Sequence, residues 1–262
     1  MTRPAITKRQ LGLLMAGGSF LFASTSAVLA EVPAAGVTPP AEVSAAAPPQ
    51  GLARINIAPL RLELDAGKSA ATVMLTNTSE RPVPVQSRLF AWTQEAGEDH
   101  FAPSTALTIS PSIISIPAGA TQIVRVLRTG PASPGEKRFR LTVDQLPDPA
   151  MAQSGQAEAR LRFALPVFFD RDTAGPAKLS WRLTGTKLEL VNAGGLTVRV
   201  LALDLKTASG QPVALQHNTL RYALGGSTIA WSLAGGCALG PVTLSASVDG
   251  QTVNAQVSPT CG

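Results

Sequence analysis

From Arg54 onward, apolar and polar residues alternate in short runs, and no run keeps a 3.6-residue period over a helical length. The alternation predicts strands over Ile55–Leu64, Ala71–Asn77, Val83–Trp92, Gln122–Leu127, Arg138–Leu146 and Arg160–Phe169. Breakers lie between them at Asp65-Ala66-Gly67, Thr78 to Pro82, Pro117-Ala118-Gly119 and Gly130 to Gly135. Val, Thr, Leu and Ala carry the apolar content in pieces between 23 Gly and 21 Pro, a composition suited to short strands rather than long helices. Strands at this spacing predict an all-β chain of Greek-key sandwich type.

The second half repeats part of the first. Leu75-x-Asn77, then Val83-x-Val85, recurs as Leu190-x-Asn192, then Val198-x-Val200, with the same internal spacing and an offset of 115 residues. Each copy reads as a strand, a turn opening at Asn and a returning strand. Asn suits such a turn because its side chain bonds the local backbone and tolerates a left-handed conformation. The repeat favours two sandwich domains, over 53–172 and 173–262, against the simpler reading of two similar hairpins.

The N-terminus reads as a leader. Arg3, Lys8 and Arg9 form a basic start, Leu11 to Ala23 is apolar, and Ala27 to Ala30 supplies small residues for cleavage after Ala30. A signal peptide over 1–30 places the chain outside the cytoplasm. An Ala/Pro-rich tether follows over 31–52. No later stretch reaches ~18 apolar residues, so membrane insertion of the mature chain is not expected. The formal charge is +5, but without the leader 19 basic residues face 17 acidic ones, which removes the main support for nucleic-acid binding. Cys237 and Cys261 are the two cysteines, and export makes a disulfide between them their natural state.

Catalytic chemistry finds no residues to stand on. No G-x-S-x-G, H-E-x-x-H or dinucleotide glycine fingerprint occurs. Gly130 to Lys137 fails as a phosphate loop, since Lys does not follow the second Gly and two prolines remove amides. The acidic stretch Glu95 to His100 reads as a solvated hairpin tip rather than a metal site. No enzyme activity, cofactor or metal is expected.

One stretch carries a family likeness: VQSRLFAWTQEAGEDHFAPSTALTISPSIISIPAGATQIVRVLR, from Val85 to Arg128. The order Ala-Trp-x-Gln, then Ser-Pro-x-Ile, then Ile-Pro-x-Gly-x-x-Gln-x-Val-Arg-Val resembles the PapD-like periplasmic chaperones of chaperone–usher pilus assembly. RLFAWTQ with its short acidic turn is most similar to the archaic class, which includes the Csu and spore-coat-U systems. The resemblance is strong in the first domain and weak in the second. It implies two immunoglobulin-like domains in a boomerang arrangement, a periplasmic location, pilus subunits as cargo and an outer-membrane usher as the second partner. It also implies donor-strand complementation, in which the chaperone lends a strand to an incomplete subunit.

The resemblance also implies roles for single residues. Arg61, sixteen positions before Asn77, matches the family arginine that anchors the subunit's C-terminal carboxylate. The family's second anchor, a lysine on the last strand of the first domain, falls here at Pro166. Arg88, Arg160 and Arg162 are the substitutes, with Arg88 ranked first. Glu136, eleven positions before Pro147, resembles the acid of an interdomain ion pair, with Arg171 as partner. On the last strand, Leu161, Phe163, Leu165 and Val167 point to one side and form the expected donated row, exposed or only loosely covered in the free chain. The loop before it, Asp148 to Ala157, is expected to adjust on binding. A secreted pilin or adhesin subunit and an extracytoplasmic ligand-binding sandwich stay open as alternatives.

Overall fold

The computed structural model describes residues 54–147 and 160–261. The expected leader over 1–30, the tether over 31–52 and the loop from Asp148 to Ala157 lie outside them. The first sandwich contains ten strands. One sheet has the order β1 (Ile55–Ala58), β3 (Ala70–Asn77), β8 (Thr121–Arg128), β6 (Leu107–Ser110). The other runs β2 (Leu62–Leu64), β10 (Arg162–Phe169), β9 (Lys137–Gln145), β4 (Val83–Glu95), β5 (Glu98–Pro103), with β7 (Ile113–Ile116) also on β4. Strands that alternate inward and outward residues pack Val73, Leu75, Val85, Val124, Val126, Leu141 and Val143 between the sheets.

Two departures from the sequence reading have physical causes. The run predicted over Ile55–Leu64 is two strands. The chain leaves one sheet at Pro59 and joins the other at Leu62, because proline cannot continue a ladder that needs its N–H. The acidic tip is a two-residue turn at Ala96 and Gly97, with φ of 51° and 86°, which fits a type I′ hairpin. It is not a free solvated tip: Gly97 is buried and its carbonyl accepts a 2.6 Å hydrogen bond from Arg221.

The second sandwich pairs a sheet of order β15 (Ser227–Ser232), β12 (Lys187–Asn192), β11 (Leu179–Thr184), β18 (Pro259–Thr260) with one of order β14 (Arg221–Ala223), β13 (Val198–Thr207), β16 (Val242–Val248), β17 (Gln251–Val257). Leu188, Leu190, Val200, Ile229, Trp231 and Leu244 form its core. Cys237 and Cys261 are bonded, with Cα atoms 5.9 Å apart, tying a 3₁₀ turn over Gly236–Leu239 to the end of the chain.

The repeated asparagines occupy equivalent buried turns. Asn77 accepts from the Ser79 amide at 2.9 Å and donates to the Arg81 carbonyl at 2.7 Å. Asn192 accepts from the Gly194 amide at 3.1 Å and donates to the Leu196 carbonyl at 2.8 Å. Each also donates into the facing sheet, to Ile116 and Ala223 respectively. The sequence repeat is therefore a repeat of one hydrogen-bonded device.

Candidate functional site: an open strand edge with a charged end

Strand β10 pairs with β9 along its whole length, from Arg162 against Asp144 to Phe169 against Lys137. Its other edge is paired only at the end, where β2 runs parallel with Leu62 opposite Val167 and Leu64 opposite Phe169. From Arg162 to Pro166 no described strand takes that edge. Among the described residues the result is an unfilled lane, open at the Arg162 end and closed by Arg61 where β2 begins. A strand added there continues the sheet through main-chain hydrogen bonds. Only a strand running parallel to β10 brings its C-terminus to Arg61.

The apolar row of this strand is divided. Leu161 is 42% exposed and Phe163 half-buried, but Leu165 is 3% exposed and Val167 is buried, both in the first sandwich's own core. The expectation of an exposed four-residue row is corrected at Leu165 and Val167. Their parity points into the sandwich, and the facing sheet extends far enough to cover that end of the strand but not the Leu161 end.

The arginines separate into two groups. Arg88 Nη2 donates to the Asp144 carboxylate at 2.7 Å, and Arg162 contacts its other oxygen. Burial pushes the Asp144 carboxyl up, but hydrogen bonds from Arg162 and Arg88 outweigh it and hold the group below the ordinary range. This clamp lies at the open end of the lane. Arg160 is exposed. Arg61 sits about 13 Å away along β10, at about 3.3 Å per residue, beside the Pro166 end. The structure therefore does not bring Arg88 or Arg162 together with Arg61. Level with Arg61 along β10, Arg140, the register partner of Pro166, lies with its guanidinium 3.8 Å over the Trp92 ring and 4.0 Å from Asp99. Burial draws its pKa down.

The two sandwiches meet beside the closed end. The Glu136 side chain has no exposed surface and gathers Arg138, Arg171, the Thr197 amide and the Thr197 hydroxyl. Thr197 belongs to the second sandwich, so Glu136 and Arg171 stand together at the junction. Gln94 makes a second link. It donates to the Tyr222 carbonyl at 2.7 Å and accepts from the Leu224 amide at 3.0 Å and the Ser227 hydroxyl at 2.7 Å. Trp92, Phe168, Leu224 and Tyr222 form an apolar cluster around it, with Trp92 and Tyr222 edge to face at 5.3 Å.

Sequence reasoning missed Asp144, Gln94 and Arg140. Gln94 stands in the quoted Ala-Trp-x-Gln motif, and outward parity on the predicted strand was a usable signal for Arg140. Nothing in the sequence placed Asp144 between Arg88 and Arg162, since that grouping depends on strand order. Among the described residues there is no group of three or more His, Cys, Asp or Glu able to hold a metal, and no helix long and apolar enough to cross a membrane.

No curated protein matches the sequence. Solved structures do share its fold. A chain of the CsuC–CsuE chaperone–tip adhesion subunit pre-assembly complex, from archaic chaperone–usher Csu pili of Acinetobacter baumannii, is 21% identical, with a TM-score of 0.62 over 79% of this chain and 99% of that one. The E. coli chaperone DraB is 19% identical, with a TM-score of 0.57 over 81% and 98%. A chain from the Salmonella enterica SafA pilin–SafB chaperone complex is 18% identical, with a TM-score of 0.57 over 80% and 98%. Residues 54–173 match the family described as pili and flagellar-assembly chaperone, PapD N-terminal domain. That match spans the first sandwich, which is thus a PapD-type N-terminal domain of the pili and flagellar-assembly chaperones, and the two-sandwich immunoglobulin-like fold is shared along the rest.

Proposed function

We propose that the protein is a periplasmic chaperone that captures pilus subunits by lending them β10 and delivers them to an outer-membrane usher. The observation that carries this reading is the edge from Arg162 to Pro166, which no described strand pairs and which a cation closes. An exposed edge is an aggregation hazard in an ordinary sandwich and a requirement in a strand donor. A subunit lacking one strand fills the lane, pairs parallel to β10 and places its C-terminal carboxylate against Arg61. The exposed Leu161 and the half-buried Phe163 enter the subunit's open core. The Arg88–Asp144–Arg162 clamp steadies the other end of the strand. Glu136 and Arg171 keep the second sandwich docked beside the anchor.

The test is co-expression with a pilus subunit encoded beside the gene. Arg61→Ala and Leu161→Glu are expected to lose the co-purifying subunit while melting like the unaltered protein. Undiminished capture by both variants would overturn the proposal.

A further inference from the structure

The closed end of the lane already holds a carboxylate. Phe168 points away from the first sandwich's core, and Glu63 is its register partner on β2. The Arg61 guanidinium lies 4.8 Å from the Phe168 ring centroid, and that of Arg171 lies 5.1 Å from it. Glu63 reaches both cations: Oε1 contacts Arg61 Nε, and Oε2 stands 3.7 Å from Arg171 Nε. Two guanidiniums against one aromatic ring form a berth for a carboxylate, and a side chain of the same molecule fills it.

We infer that Glu63 is a resident stand-in for the arriving C-terminal carboxylate, and that Arg171 completes the anchor with Arg61. This rests on the strand-lane reading above. Pro166 leaves no side-chain cation on β10 at this level, whereas Arg171 follows the strand and turns back over Phe168. Arg171 is held from the other side by buried Glu136, so its position does not depend on Glu63. Glu63 is 46% exposed and is the replaceable member of the set. Ion pairs of that exposure are individually weak, so an incoming carboxylate displaces it at small cost.

Capture is then an exchange of one carboxylate for another. A free anion gains little, because it merely replaces an equivalent contact that is already intramolecular. A chain end gains more, because the carboxylate arrives with a strand paired along Arg162–Pro166. The resident acid thus selects for ligands that satisfy edge and anchor together, which is specificity by competition. Asp249 of the second sandwich, 3.6 Å from Arg61 Nη1, adds to the same screening.

The experiment titrates the 15N-labelled chain with an N-acetylated peptide of alternating Val and Thr, ending in a free carboxylate or in an amide. Shifts of the β10 backbone amides report binding. The unaltered protein is expected to prefer the acid over the amide. Glu63→Gln is expected to bind the acid roughly two- to fivefold more tightly, the range set by one exposed ion pair, with amide affinity unchanged. Arg61→Ala is expected to erase the acid preference in both backgrounds. If the unaltered protein prefers the acid but Glu63→Gln binds it no better, the stand-in role fails and the lane reading stands. If neither peptide moves the β10 amides, the lane reading fails and takes this inference with it.

Discussion

Asn77 and Asn192 show how much one side chain can fix. Each of these turns requires an acceptor two residues before an amide and a donor facing a carbonyl four residues on, and only asparagine offers both at that reach. Both side chains are fully buried, so a partner left alone has no water to turn to. Asn77→Ala is expected to destabilise the first sandwich by roughly 3 kcal/mol, because several buried groups lose their partners together. Asn77→Asp is expected to do no better. Its carboxylate would face the carbonyl oxygens of Arg81, Ile116 and Pro117, to which the native amide donates. Equilibrium denaturation of both variants checks this, and a change below 1 kcal/mol, on the order of a single ordinary bond, would count against the device. These residues were legible because turn chemistry is local. The arginines were not. Arg61, Arg88, Arg140 and Arg162 are alike in sequence, and only strand order decides which meets a neighbouring acid and which lies against an aromatic ring.

At the scale of the element, β10 has two edges and two faces, and alternation reports only the faces. Parity puts Leu161, Phe163, Leu165 and Val167 on one side, and the last three do pack against the first core, but parity cannot say where the covering sheet stops. The strand's two ends should therefore respond differently. Leu165→Glu is expected to unfold the first sandwich, since an unpaired charge enters the core, whereas Leu161→Glu is expected to keep its melting temperature. Thermal melts of the two variants decide this, and equal melting would contradict the division. The Asp144 clamp adds a pH dependence. Its carboxyl titrates below the ordinary value of about 3.9, so its stabilisation is fully present above that pH and is lost as pH falls through the lowered value. Asp144→Asn is expected to lower the hydrogen-exchange protection factors at the start of β10 at neutral pH, as acidification does in the unaltered protein once each rate is compared with the intrinsic rate at its own pH. The strand breaks near Pro59 and Pro111 show the limit of periodicity from another side. Pro59 sits within an apolar run and Pro111 between two serines, and both mark where the chain changes its pairing partner.

At the scale of the molecule, the two sandwiches are joined by polar contacts that the sequence indicated only in part. Glu136 and Arg171 came from family likeness, while the repeat at Asn192 placed the second sandwich without locating its junction. The disulfide belongs to that second sandwich and lies away from the lane. Replacing both Cys237 and Cys261 by Ser is expected to cost roughly 3 kcal/mol in the loop-entropy picture, with peptide binding at β10 unchanged. Glu136 is different, because its carboxylate is shared between sandwiches. It is fully buried and faces two arginines, a hydroxyl and an amide, so its charge is held only by what the junction supplies. Glu136→Gln keeps the volume but removes the charge, and its amide nitrogen would face donors. Arg138 and Arg171 would lose their shared anion, and the Thr197 amide would lose a strong acceptor. The expected result is faster hydrogen exchange at Thr197, with the cores around Leu141 and Leu190 still protected. Arg171 would also be less firmly placed over Phe168, so acid-peptide binding should weaken where the disulfide variant leaves it intact. Unchanged exchange at Thr197 in Glu136→Gln would show that the junction does not depend on this carboxylate and is carried instead by Gln94 and the Trp92 cluster.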